Sequence, residues 1–198
     1  MIFFARSTTT ALLIALLAGA GVLAGCDQSG MDGPEPETFT APLTALNNSG
    51  VSGEATVTVE GNQFTVTVDA QGTEAESVHA QHIHGFASDV SSCPTAEADT
   101  SGDGSISVGE GAPAYGGILV PLDGSLDEAE GLGELETFPT GNGSYVYEQS
   151  IATGDIAVND DRSFGALTLG NHAIVVHGQT VDGEYEATRP VACGTLSQ

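Results

Sequence analysis

Ala55-Thr56-Val57-Thr58-Val59-Glu60, the pair Gly61-Asn62, and Phe64-Thr65-Val66-Thr67-Val68-Asp69 decide the fold class. Apolar and polar residues alternate on both sides of the pair. Successive side chains of a strand leave opposite faces, so each run carries one apolar and one polar face. Valine and threonine suit a pleated surface because their branched Cβ limits rotamer choice. Gly61-Asn62 is a turn signal. The stretch therefore predicts an antiparallel hairpin buried on one side.

Working outward, short strand-like runs recur between glycine-rich turns. They are Ile118-Leu119-Val120, Tyr145-Val146-Tyr147, Asp155-Ile156-Ala157-Val158, Ala173 to Val176 and Val191 to Leu196. No long helical period and no internal repeat are visible. The expected class is all-β, a Greek-key antiparallel sandwich or flattened barrel.

Four pieces carry chemistry. The first is His79-Ala80-Gln81-His82-Ile83-His84, and the second is Cys93. On a strand, His82 and His84 share a face and stand roughly 7 Å apart. Two such rings can converge on one metal ion, and histidine is the commonest metal ligand. The third and fourth pieces are Val175-Val176-His177 and Arg189-Pro190-Val191-Ala192-Cys193-Gly194.

Together these four pieces resemble the copper/zinc superoxide dismutases over about Pro42 to Leu196. That family has a His-x-x-His-x-His strand and a disulfide cysteine nine residues on. A Val-Val-His ligand and an Arg-x-x-Cys-Gly ending follow. The resemblance implies a superoxide dismutase-like fold, with His82, His84 and His177 as copper ligands. It implies that His79 supports the site by bracing the strand of His177 through its backbone. It also implies a Cys93–Cys193 disulfide and an Arg189 that guides anionic superoxide. Imidazole suits copper and zinc, and divalent copper binds nitrogen sites tightly.

The chain departs from the pattern in four ways. From Pro94 to Asn171 there is no histidine, so the bridging histidine and the zinc histidines are missing. Zinc is not expected. The stretch from His177 to Cys193 is short, and the Arg-to-Cys spacing is one residue longer. His172 has no counterpart, and its distance from His177 sends it to the other face. Three readings stay open. They are a copper-dependent dismutase, a non-catalytic copper-binding module, and a structural envelope domain stabilised by calcium.

Where the family has its zinc loop, Asp99-Thr100-Ser101-Gly102-Asp103-Gly104-Ser105-Ile106-Ser107-Val108-Gly109-Glu110 follows the twelve-residue calcium-loop pattern. Asp99, Ser101, Asp103 and Ser107 offer side-chain oxygens, Ser105 its carbonyl, and Glu110 a bidentate carboxylate. Gly111 and Pro113 argue against a helix leaving the loop.

The ends and the charge bound the setting. Arg6, the apolar run from Ala11 to Ala18 and Leu23-Ala24-Gly25-Cys26 read as a bacterial lipoprotein signal over 1–25. Acylation of Cys26 would anchor the protein to a membrane in the cell envelope. Residues 26–39 read as an acidic flexible tether and 40–198 as the β domain. With Cys26 lipidated, Cys93 and Cys193 remain. Export favours a disulfide between them over two buried thiols. The chain has 27 acidic residues, three arginines and no lysine, for a formal net charge of −24. Such a field disfavours nucleic acid as a partner. Oligomeric state is not legible.

Overall fold

The computed structural model describes residues 35–88, 90–128, 135–160 and 162–198. The leader and Cys26 lie outside the described residues. Strands β1 (Glu37–Ala45), β2 (Ser52–Glu60) and β3 (Gln63–Gln71) come first, followed by β4 (Gln81–Gly85). Helix α1 (Val108–Tyr115) and β5 (Gly117–Pro121) precede β6 (Ser144–Ala152), β7 (Ala173–Val181) and β8 (Glu184–Thr195). The class is all-β, as the alternation predicts. The eight strands form one curled antiparallel sheet in the order β5-β4-β7-β8-β1-β2-β3-β6.

The predicted hairpin is β2–β3, in register from Ser52↔Gln71 to Glu60↔Gln63. Its inward residues Ala55, Val57, Phe64, Val66 and Val68 are fully buried. They join Ile83, Ile174 and Val176 in the main core. A smaller cluster of Leu46, Tyr115, Ala173, Val175 and Cys193 lies beyond the other face of β7 and under α1. The Cys93–Cys193 disulfide is formed and ties the segment after β4 to β8.

Three expectations need correction. Strand β1 begins at Glu37, inside the stretch read as tether, and buries Phe39, Ala41 and Leu43. Asp155–Val158 is not a strand. Asp155 closes a turn onto Ala152, while Ala157 and Asn159 donate single bonds to Leu126 and Leu119. Its alternation is real, since Ile156 is buried, but among the described residues no neighbouring strand continues the ladder. Finally, a helix does leave the 99–110 loop.

That helix forms despite Gly109, Gly111 and Pro113 because its first turn is capped. The Ser107 hydroxyl accepts from the Glu110 amide, while Glu110 Oε2 accepts from the Ser107 amide at 2.9 Å. This reciprocal capping box satisfies two amides that would otherwise lack partners. The other support is packing of Tyr115 and Ala112 on the smaller cluster. Burial against a core outweighs weak helix propensity in so short a segment.

Candidate metal centre

Strand β4 lies between β5 and β7, so all five of its residues are buried. Alternation divides them. Ile83 enters the main core. Gln81 joins Leu122 O and the Tyr145 hydroxyl. His82 and His84 face the α1 side, in register with Val175 and Ala173 of β7. The ladder to β5 shifts between Ile83 and His84. Further along β7, His177 follows at the same period of two from Ala173 and Val175.

The three rings meet. Centroids lie 5.4 Å apart for His82–His84, 5.2 Å for His82–His177 and 5.6 Å for His84–His177. One ligand atom from each residue falls within 4.8 Å of the others, and all three side chains are buried. The Nε2 atoms of His84 and His177 are 3.5 Å apart.

Backbone carbonyls set the tautomers. His84 Nδ1–H donates to Gly116 O at 3.1 Å, and His177 Nδ1–H donates to Thr188 O at 2.8 Å. A carbonyl only accepts, so each proton sits on Nδ1 and each Nε2 lone pair is left for the centre. Such outer partners orient metal-bound histidines and raise their basicity. Burial lowers the His84 pKa to about 3, helped by repulsion from His177 and opposed by the Gly116 bond. Burial lowers the His177 pKa to about 4, opposed by the Thr188 bond. Both rings are therefore neutral near pH 7, the form that binds metals.

A cavity of about 380 Å³ opens onto the three histidines, walled by Ala80, Val108, Ala112, Tyr115, Ile118 and Thr188. Helix α1 thus roofs the site. Tyr115 sets its ring edge-on to His84 at 4.7 Å and donates its hydroxyl to Val108 O. Gly116 ends the helix at φ 85°, and a Cβ there would lie 2.3 Å from Gly85 O. Only glycine lets the carbonyl that holds His84 sit so close to β4.

His79 lies outside the trio. Its Nδ1 is 3.0 Å from His177 O and its Nε2 is 3.2 Å from Glu74 O. It ties its segment to the backbone of β7 at the residue that carries the third ring. His172 is buried just before β7, apart from the cluster, against Gly85 and near Arg162. Arg189 does not line the cavity. Its guanidinium holds Glu186 and the Ser105 hydroxyl.

In the 99–110 loop the carboxylates serve the loop's own backbone. Asp99 accepts from the amides of Gly102, Asp103 and Gly104 and from the Ser101 hydroxyl. Glu110 accepts from Thr100, Ser101 and Ser107, through backbone and side chain. These bonds hold both carboxyls below the usual range, Glu110 at about 2. Asp103 accepts from the Ser105 amide.

The residues the sequence could not single out are Gly116, Thr188 and Tyr115. The first two act through backbone oxygens, which carry no side-chain signature. Tyr115 looks like any core aromatic. No protein-family model matches the chain, and no curated protein matches it.

Proposed function

We propose that this is a copper-binding domain of superoxide dismutase-like architecture, holding one ion through His82, His84 and His177. The observation that carries the reading is three buried imidazoles whose ligand atoms gather within 4.8 Å. The fixed tautomers of His84 and His177 suit the proposal, since each turns a neutral Nε2 toward the centre. Nitrogen ligands without thiolate or carboxylate favour copper among the first-row divalent ions. The strand order supports the architecture. β6 returns beside β3 after the β4–β5 excursion, and β7 returns beside β4. Long returns of this kind suit a Greek-key arrangement.

Binding without turnover fits the geometry better than dismutation. Bound copper supplies a one-electron couple, but an anionic substrate also needs a cation to draw it in. Among the described residues, no arginine or lysine lines the cavity. Arg162 pairs with Asp160, Arg189 pairs with Glu186, and the chain's formal net charge is −24. This field repels superoxide and attracts cations. The lipobox-like segment ending at Cys26 supports a setting at the cell envelope for such a domain. Among the described residues, no helix is long and apolar enough to cross a membrane.

The 99–110 loop is the proposed calcium site, with a structural role. Its donors are all oxygen, right for a hard cation. Glu110 already accepts five hydrogen bonds. Calcium must displace some of them, which puts its affinity near the weak end for such loops, at about 0.1 to 1 mM.

The test is copper titration of the wild type against the His82→Ala, His177→Ala double variant, with superoxide removal measured on both. One equivalent bound by the wild type, at least 100-fold weaker binding in the variant, and no turnover above free copper are expected. Histidine-dependent turnover would make the protein a dismutase. Equal binding by both would end the copper reading.

A further inference from the structure

We propose that Arg189 is a positioning residue for His177, acting through the Thr188 carbonyl. The proposal rests on reading His82, His84 and His177 as a metal site.

The β7–β8 ladder is interrupted where this site lies. His177 pairs with Pro190 and Gln179 pairs with Glu186. Between those pairs β7 has one residue, Gly178, while β8 has three: Ala187, Thr188 and Arg189. The extra residues form a bulge, and a bulge leaves its peptide groups without ladder partners. Yet the Thr188 carbonyl sits in this bulge and fixes the His177 ring at 2.8 Å. Something other than the ladder must hold that carbonyl still.

Arg189 fills this role through three bonds to two partners. Its Nε and one terminal nitrogen both reach Glu186 Oε2 at 2.8 Å, so one ion pair spans the bulge from end to end. Its other terminal nitrogen donates to Ser105 Oγ at 2.9 Å, anchoring the bulge to the 99–110 loop. Asn47 makes a parallel tie, donating to Pro190 O at 2.9 Å and Ile106 O at 2.8 Å. The planar guanidinium makes all three bonds at once, a geometry that lysine cannot copy. Glu186 is 42% exposed, so the ion pair adds little to global stability. Its effect falls on where Thr188 points.

The test begins with metal-free, nitrogen-15-labelled full-length protein near pH 7.5. Ring spectra of His177 report which nitrogen carries the proton. Wild type is expected to show the Nδ1–H tautomer alone. Arg189→Gln and Glu186→Gln are expected to show a mixture. Arg162→Gln, which breaks the other arginine ion pair, is expected to match wild type. Copper affinity is then expected to fall about tenfold in Arg189→Gln, as for other changes behind a metal ligand. Its spectrum by electron paramagnetic resonance should shift as well. A pure Nδ1–H tautomer and wild-type copper binding in Arg189→Gln would overturn the proposal. A mixed tautomer in a protein whose wild type takes no copper would uphold the positioning role and sink the metal reading.

Discussion

The histidine centre and the 99–110 loop, both proposed above as cation sites, present their donor atoms in two different ways. In the first, neutral rings are buried on strands, and the backbone carbonyls of Gly116 and Thr188 aim two of them. In the second, charged carboxylates stay partly in contact with solvent and spend their lone pairs on their own loop. Burying a charge is costly, whereas burying a neutral imidazole with a hydrogen-bond partner is not. So the buried cluster is built from nitrogen donors, and the carboxylates of the loop serve as its scaffold. The two regions meet at α1, which starts inside the loop and roofs the cavity.

The largest perturbation strikes both regions together. Cys93–Cys193 closes a separation of 100 residues and anchors the chain just before the loop. Replacing both cysteines by serine is expected to cost about 5 kcal/mol, read from denaturant unfolding. If the loop alone loosened while β4 and β7 kept their hydrogen-exchange protection, the two regions would be less coupled than described.

Acid should separate them. In the metal-free fold the His177 pKa is depressed to about 4. Below about 6.5 the unfolded chain takes up a proton that the folded ring refuses. The stability present above 6.5 is therefore lost as pH falls toward 4, by about 3 kcal/mol from this one ring. His84, depressed to about 3, acts in the same direction. Glu110, lowered to about 2, keeps its contribution above about 4.5 and loses it nearer pH 2. Thermal unfolding across pH should show the histidine phase first. A single phase below pH 4 would contradict the burial argument.

A smaller change probes the joint. Ser107→Ala removes one half of the α1 capping box and should cost about 1 kcal/mol. It should also speed amide exchange at Gly116 and loosen the roof over His84. Smallest is calcium itself. At three times its dissociation constant it should stabilise the fold by about 0.8 kcal/mol, seen as a rise in melting temperature. No rise at 10 mM calcium would leave the loop as scaffold alone.

The sequence is most legible where one local pattern decides the outcome. Alternation across Gly61-Asn62 fixed the β2–β3 hairpin, and the spacing of His82 and His84 placed both rings on one face. It is least legible where distant groups decide. Helix α1 contains two glycines and a proline, and it exists through a capping box and contact with the disulfide cluster. Strand β1 hides its alternation among threonines and Pro42, and its fate rests on β2 and β8. Arg189 was a plausible anion guide by position alone. Only the bulge of β8 turns it toward Glu186 and Ser105.

Strand β1 has a consequence for the order of assembly. Its residues 37–43 pair with β2, which follows almost at once, whereas Thr44 and Ala45 pair with Cys193 and Ala192 of β8. During synthesis the first strand therefore waits with one edge open until the last arrives. Closing so long a loop is a slow, late event. The cysteine that completes the disulfide and the carbonyl that aims His177 arrive on that same late strand. The centre is thus finished together with the fold, and a half-made chain offers no complete site for a stray metal ion.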